Sequence, residues 1–224
     1  MSSGADASAA RSPRRSRRLS DEERERRTRQ RRDALLSRHR RRILDAVAQS
    51  FAERGYHDTS VDQVVSRART SKSAFYACFA NKEQAFAALL EREGERLLLT
   101  VEQAVTAETD PRKRARAGIT TFVTDCATHR DTARILLVES VGISPAIEER
   151  RRAVHARFAG MIRAQAEAAR AAGIHAANVD LEVLAFALVG AVNEAVVHLL
   201  ETGGTDPAPV LEALGHLAGR ALQA

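Results

Sequence analysis

The run SVDQVVSRARTSKSAFYACFANKE, residues 60–83, predicts two short helices joined by a tight turn. Ser60 is a good N-cap, and Gln63 three residues later completes a capping box, so a helix begins here. Ser71 offers a new cap soon after Ala68, which predicts a second helix directly after the first. Two short helices with only a turn between them are typical of a helix-turn-helix, whose second helix enters the major groove of DNA.

The second of these helices has a packing face and a free face. Phe75 and Phe79 lie four residues apart and therefore share one face. The remaining faces carry side chains that can contact a partner: Lys72, Ser73, Tyr76 and Ala77.

Composition favours an all-α globular protein. The 224 residues are 44% apolar, which is enough for a substantial core, but only 4% aromatic, and no Trp is present. Ala, Leu, Arg and Glu dominate, and these residues favour helices. The two cysteines do not suggest a disulfide framework. No secretion signal and no run of about 18 apolar residues is evident, so we expect a cytoplasmic protein without a membrane span.

Positive charge is concentrated at the amino terminus. Residues 1–42 hold 15 Arg against 6 Asp plus Glu, a balance of +9, so the net charge of +6 leaves −3 for residues 43–224. A basic arm before a helix-turn-helix predicts phosphate contacts, although a solvated tail that aids solubility is the alternative. Ser20 and Glu23 form a further capping box, so a polar helix could start there, and we treat it as conditional on DNA.

Caps and apolar periodicity divide the rest of the chain into helices. The first well-supported helix runs from about Arg38 to Arg54, and a long helix runs from Asn81 to about Glu108. Asp131 is expected to restart a helix. The segment from Asn178 to Leu200 is so apolar that we expect burial nearly all round, by the chain's own core or by a partner subunit. The predicted domains are an arm at 1–37, disordered or conditionally helical, a helix-turn-helix domain at 38–84 and a helical regulatory and dimerisation domain at 85–224.

At this level of detail the chain resembles TetR-type one-component transcription regulators. The match spans Arg41 to Leu90, about 50 residues, and its residues are Ile43-Leu44, Phe51, Glu53-Arg54-Gly55-Tyr56, Thr59-Ser60-Val61, the run Ser71–Tyr76, Phe79 and Asn81-Lys82-Glu83. So many positions at the right spacing make a specific signal. Two later segments, Arg134–Glu139 with Ser144-Pro145 and Val189–Glu194, are similar to segments common in the regulatory domain of that family.

The resemblance implies a homodimer in which the last two long helices of each subunit pair as a four-helix bundle. Two recognition helices then face one palindromic operator in double-stranded DNA, and a small-molecule effector in the carboxy-terminal domain releases them. No cofactor and no membrane partner is expected. The DNA-contacting positions carried over are Lys72, Ser73 and Ala77 toward bases, Ser60, Tyr76 and Lys82 toward phosphates, and Ser71 at the cap of the recognition helix.

Arg69 departs from the family pattern, because members commonly have Gly in this turn. A residue with a Cβ at positive φ costs on the order of 1 kcal/mol. The turn is therefore either remodelled, or Arg69 is itself a DNA contact that compensates for the strain at a phosphate.

The effector pocket is predicted from polar or soft side chains on the helices of the regulatory domain. They are Thr121, Asp125, His129, Glu139, His155, Met161, Asn193 and His198. An apolar majority with a few polar groups favours a moderately hydrophobic ligand.

Other classes of function find less support in the sequence. Cys126 and His129 share a helix face with Asp125 nearby, which allows a nucleophile or the start of a metal site, but convergent ligands for a metal are missing. We expect neither catalysis nor a metal. A nonspecific, arm-driven DNA-binding or nucleoid-associated protein is the alternative function.

Overall fold

The computed structural model describes residues 20–173 and 179–223, and all regular secondary structure in these two ranges is helical. The all-α prediction is confirmed. The α-helices are α1 (Asp21–Arg54), α2 (Val61–Arg67), α3 (Lys72–Cys78), α4 (Lys82–Ala107), α5 (Pro111–Thr128), α6 (Arg130–Arg134), α7 (Pro145–Ala171), α8 (Leu181–Glu201) and α9 (Ala208–Gln223), with a π-helical turn at Ile135–Glu139 between α6 and α7.

The predicted helix-turn-helix is present as α2 and α3. Ser60 Oγ accepts from the amide of Gln63 at 3.3 Å, and the amide of Ser60 donates to Gln63 Oε1 at 2.8 Å, which is the predicted capping box. Ser71 Oγ accepts from the amide of Ala74 at 3.1 Å and caps α3. The local cap signals therefore fixed both helix starts.

Helix α1 is longer than the sequence predicted, because it begins at Asp21 rather than near Arg38. The capping box of Ser20 and Glu23 is formed, with the amide of Glu23 3.2 Å from Ser20 Oγ. No Gly or Pro interrupts the chain between the cap and Arg38, so nothing stops the helix there. Its first four turns are mostly exposed. The expected disorder of the preceding arm concerns residues 1–19, which lie outside the described residues.

The DNA-binding head has its own aromatic core. Phe51 of α1, Phe75 of α3 and Phe86 of α4 are all buried, and the rings of Phe51 and Phe86 pack edge to face with centroids 5.0 Å apart. Two residues from the regulatory part, Ile135 and Ile147, are buried in this same core. The π-helical turn and the start of α7 are therefore packed directly onto the head.

One predicted helix start in the regulatory domain needs correction. His129, not a residue at Asp131, stands at the N-cap of α6, and the π-helical turn that continues it was not predicted. Helix α8 is capped by Asp180; the start predicted at Asn178 lies outside the described residues. Within a single subunit this helix is only partly buried, since Val183 is 66% and Phe186 47% exposed. Burial of the rest by a partner subunit, the other source expected from the sequence, stays a prediction.

Helix α8 is the one described helix long and apolar enough to cross a membrane by length and composition. Only 39% of its apolar window is buried within the chain. Its exposed face therefore leaves a large apolar surface without a partner in a single subunit.

Candidate DNA-reading head and ligand cavity

The turn between α2 and α3 is a Schellman motif with an arginine in the position that usually holds glycine. The amide of Thr70 donates to the carbonyl of Val65 at 3.0 Å, and the amide of Arg69 donates to the carbonyl of Ser66 at 3.1 Å. These are the two hydrogen bonds of the motif. Arg69 has φ 47°, so of the two alternatives the turn is not remodelled, and a phosphate contact by Arg69 stays a prediction.

Helix α3 presents its predicted DNA-reading residues to solvent. Phe75 and Phe79 anchor it in the head core, whereas the side chains on the opposite side are exposed: Ser71, Lys72, Ser73, Tyr76 and Ala77. Tyr76 is 54% exposed, so it is not a core residue. The geometry leaves this face open to the major groove, and the individual contacts stay predictions.

Lys72 is held by an acidic residue of the preceding helix. Its Nζ lies 2.7 Å from Asp62 Oδ1 on α2, and both side chains are mostly exposed. The hydrogen bond to Asp62 raises the pKa of Lys72, which therefore stays protonated at neutral pH. To contact a base, Lys72 must break its ion pair with Asp62 and bind the DNA instead.

Ser60 and Lys82, the other predicted phosphate contacts, already have structural roles. The hydroxyl of Ser60 caps α2, although the residue is exposed. Lys82 Nζ donates to the carbonyls of Tyr56 at 2.6 Å, His57 at 3.3 Å and Thr59 at 2.9 Å. It also lies 4.3 Å from the centroid of the Tyr56 ring, and burial lowers its pKa. All three ammonium protons thus bind the loop between α1 and α2.

We expect Lys82→Met to destabilise the free head by about 1.5–3 kcal/mol, the range for hydrogen bonds to a charged group. The apolar stem is retained, so the loss reports the three carbonyl bonds. Urea unfolding without DNA measures it, and Lys72→Met, on an exposed lysine of the same head, is the matched control. Unchanged stability of Lys82→Met together with weaker DNA binding would instead assign Lys82 to a phosphate.

A cavity of about 560 Å³ lies in the regulatory domain between α4, α5, α7, α8 and α9. Its walls are mainly apolar, including Val101, Ile119, Phe122, Phe158 and Val192. This size falls within the range of small-molecule sites. The geometry therefore provides room for a largely apolar guest.

One part of the cavity wall, at the start of α5, carries cationic side chains: Lys113, Arg114 and Arg116. Arg114 Nε donates to the carbonyl of Glu108 at 3.1 Å, and Lys113 Nζ lies 3.9 Å from Asp110. Sequence reasoning missed these three residues. The basic run 112–116 at a helix start is the signal that could have identified them.

The predicted pocket residues separate into two groups. Met161 and Asn193 line the cavity, and His155, 3.2 Å from Asn193, lines a second void of about 30 Å³ beside it. Burial lowers the pKa of His155, so its ring is neutral at neutral pH. The structure places the other five away from the walls of both spaces: Thr121, Asp125, His129, Glu139 and His198.

Asp125 has a different partner from the one expected. Arg96 of α4 binds it through two hydrogen bonds of 2.9 and 2.8 Å, and His129 Nδ1 lies 3.3 Å from the same carboxylate. The bond to Arg96 holds the pKa of Asp125 below its usual range. Glu139 pairs with Arg134 at 3.2 Å, and His198 is exposed. Asp125 thus joins α4 to α5, and Glu139 forms a local pair, so neither carboxylate faces the cavity.

The geometry gives no support to chemistry at Cys126. The thiol is buried, and burial raises its pKa to about 12, so it stays protonated at neutral pH. His129 is half exposed and engaged by Asp125. Within residues 20–173 and 179–223, no group of three His, Cys, Asp or Glu side chains could hold a metal ion.

Comparison with known families covers both parts of the chain. Residues 43–89 match the family described as bacterial regulatory proteins, tetR family. Residues 108–222 match the family described as tetracyclin repressor-like, C-terminal domain. The two matches correspond to the head and to the domain that contains the cavity.

Two curated proteins are similar in sequence. The HTH-type transcriptional activator FasR of Mycolicibacterium smegmatis is 37% identical over 94 residues, which is 41% of this chain and 43% of FasR. The uncharacterized HTH-type transcriptional regulator YdgC of Bacillus subtilis is 28% identical over 174 residues, 75% of this chain and 85% of YdgC. The chain thus spans less than half of FasR but most of YdgC.

Solved structures show the same fold. The fatty acid degradation regulator FadR from Bacillus halodurans superposes with a TM-score of 0.75 at 17% identity, over 81% of this chain and 94% of FadR. FadR from Bacillus subtilis, solved in complex with stearoyl-CoA, gives 0.72 at 16% identity, over 82% and 97%. At these identities the likeness concerns the fold alone.

Proposed function

The chain belongs to the TetR family of bacterial regulatory proteins, and we propose that it is a homodimeric repressor released from a palindromic operator by a small amphipathic ligand. Proteins of this family and its relatives are transcription regulators rather than enzymes. The observation that carries the proposal is the exposed face of α3 on a helix-turn-helix head. We place the protein in the cytoplasm, where it has access to DNA.

Selection from random DNA followed by footprinting tests DNA reading. We expect one symmetric protected site and a preference of at least about 10³ over random DNA. A flat preference with steep salt dependence would favour the arm-driven, nonspecific binder instead.

Charge along α1 supports specific reading over the arm-driven alternative. Residues 21–37 of the helix carry six Arg and five Asp or Glu, so their net charge is only +1. Residues 38–42 add four Arg next to the head. Residues 38–42 thus carry +4 of the net +9 in residues 1–42, and residues 1–20 carry the same +4. Nearly half of this positive charge therefore lies next to the proposed DNA-reading helix.

The cavity supports an amphipathic, anionic ligand. An apolar chain fits the walls, and an anionic head group suits Lys113, Arg114 and Arg116 at the start of α5. FadR from Bacillus subtilis holds stearoyl-CoA in the same fold, which makes a long-chain acyl-CoA the first probe to test. We propose that such a ligand occupies the cavity and weakens operator binding.

The packing between domains supports a route from ligand to DNA. Helix α4 runs from Lys82 in the head to Val101 and Val105 in the cavity wall. Ile135 and Ile147 of the regulatory domain are buried in the head core. A shift of the helices around a bound ligand would therefore reposition the head, which couples the two sites.

Filling the cavity should weaken the response of the protein to the ligand without changing its affinity for the operator. We expect Ile119→Trp to raise the stearoyl-CoA concentration that releases the operator about 100-fold, roughly 2.7 kcal/mol, because the ring occupies the ligand's space. Fluorescence anisotropy of labelled operator measures the release. Leu99→Trp, on an exposed residue of α4 that does not line the cavity, is the control. An unchanged response of Ile119→Trp, or an equal loss in both variants, would contradict this site.

Activation is the second candidate for the regulatory outcome. It is favoured by FasR, which is named as an activator and is 37% identical over 94 residues. A reporter gene behind the footprinted operator distinguishes repression from activation. Deletion of the regulator raises reporter expression if the protein is a repressor and lowers it if the protein is an activator.

A further inference from the structure

Two side chains of helix α1 form hydrogen bonds with the turn between α2 and α3. Arg42 Nη2 donates to the carbonyl oxygens of Ala68 at 2.5 Å and Arg69 at 2.9 Å. Nearly one helical turn earlier, His39 Nδ1 lies 3.1 Å from Thr70 Oγ1. Residues at i and i+3 fall on one helix face, so two side chains of α1 bind three of the four residues between α2 and α3.

This turn needs support because its left-handed residue is not glycine. Arg69 has φ 47°, a region that crowds the Cβ of any residue except glycine. The carbonyls at the end of α2 also lack partners within the helix. A guanidinium is a strong, permanently charged donor for such carbonyls. The contacts of Arg42 thus fall on the strained residue and on the helix cap before it.

We infer that Arg42 is a positioning residue for DNA reading, because it stabilises the strained turn and thereby sets the angle between α2 and the recognition helix α3. A glycine at position 69 would adopt the left-handed conformation without strain. With Arg69 in this position, the hydrogen bonds from Arg42 hold the turn in that conformation. The inference rests on the proposed function only for its DNA readout, since the contacts themselves belong to the DNA-free head. A direct phosphate contact by Arg42 is the competing role.

A double-mutant cycle separates the two roles. We expect Arg42→Ala to weaken operator binding about tenfold, roughly 1.4 kcal/mol, in the chain that has Arg69. In an Arg69→Gly background the same change should lower operator affinity by less than about twofold, because glycine adopts the left-handed conformation without support from Arg42. Arg41→Ala, on an exposed neighbour with no contact to the turn among the described residues, controls for charge.

Thermal unfolding without DNA provides an independent readout of the same cycle. Arg42→Ala should lower the melting temperature in both backgrounds, because Arg69→Gly keeps the two carbonyls that Arg42 binds. The decrease should be larger in the chain that has Arg69, where the turn is also strained. Absence of this coupling would overturn the inference, whatever the DNA affinities are. An equal affinity loss in both backgrounds, with the salt slope of the dimer reduced by about two, one for each subunit, would also overturn it and assign Arg42 to a phosphate. If selection yields no operator, the unfolding cycle decides alone.

Discussion

Replacing Phe186 on α8 by arginine is expected to dissociate the proposed dimer and to weaken operator binding by at least about 1,000-fold, roughly 4 kcal/mol. Phe186 is 47% exposed in the single chain, with Val183 at 66% beside it on α8 and Leu217 at 48% on α9. Gly190 lies on the same helix, and a Cβ there would meet nothing within 4 Å, so another helix can approach closely. A buried, unpaired arginine in such an interface is strongly unfavourable. A monomer then keeps only one of two recognition helices.

Sedimentation of the free protein and anisotropy with the operator measure the two effects. Leu99→Arg is the matched control, because Leu99 is 55% exposed and apolar but lies on α4, outside the α8 and α9 surface. A dimeric Phe186→Arg protein would place the interface elsewhere. Wild-type protein that fractionates with membranes would instead assign the apolar face of α8 to lipid.

The parts of the fold that were predictable have local causes. Ser60, Ser71 and Asn81 cap helices through bonds to amides three residues away, so adjacent sequence contains the whole signal. The position of the turn at Arg69 followed from the two neighbouring helix signals, whereas its left-handed conformation was left open against a remodelled turn and is seen only in the structure. The length of α1 was missed although its cap was recognised, since weak apolar content does not stop a helix that is rich in Arg, Glu and Leu and contains no Gly or Pro.

The parts that were not predictable depend on partners far apart in sequence. Asp125 was assigned to the pocket by residue type, but Arg96, 29 residues earlier, binds it through both carboxylate oxygens. Lys82 was assigned to phosphate, which stays a prediction, and its contacts to carbonyls 23 to 26 residues away were not foreseen. The sequence shows which hydrogen bonds and ion pairs a polar side chain can form, whereas the fold determines which partner lies within reach.

Lys72→Ala is the second large effect that we expect, a loss of about 100-fold in operator affinity with relaxed choice at one base pair of each half-site. A lysine contact to guanine is worth about 1–3 kcal/mol, and a dimer loses it twice. Stability should change by less than about 1 kcal/mol, because the pair with Asp62 is exposed. Binding to the selected operator and to every single-base variant measures both affinity and choice.

Two matched variants separate base reading from simple charge. Tyr76→Phe removes one exposed hydroxyl from the same face. It should lower the affinity for all DNA sequences by a similar factor, smaller than the loss in Lys72→Ala. Asp62→Asn frees Lys72 from its ion pair at 2.7 Å and removes a negative charge, so it should leave affinity unchanged or raise it. If Lys72→Ala weakened selected and random DNA equally, Lys72 would bind a phosphate. Base selection would then come from Ser73 and Ala77, the remaining exposed residues predicted to face bases.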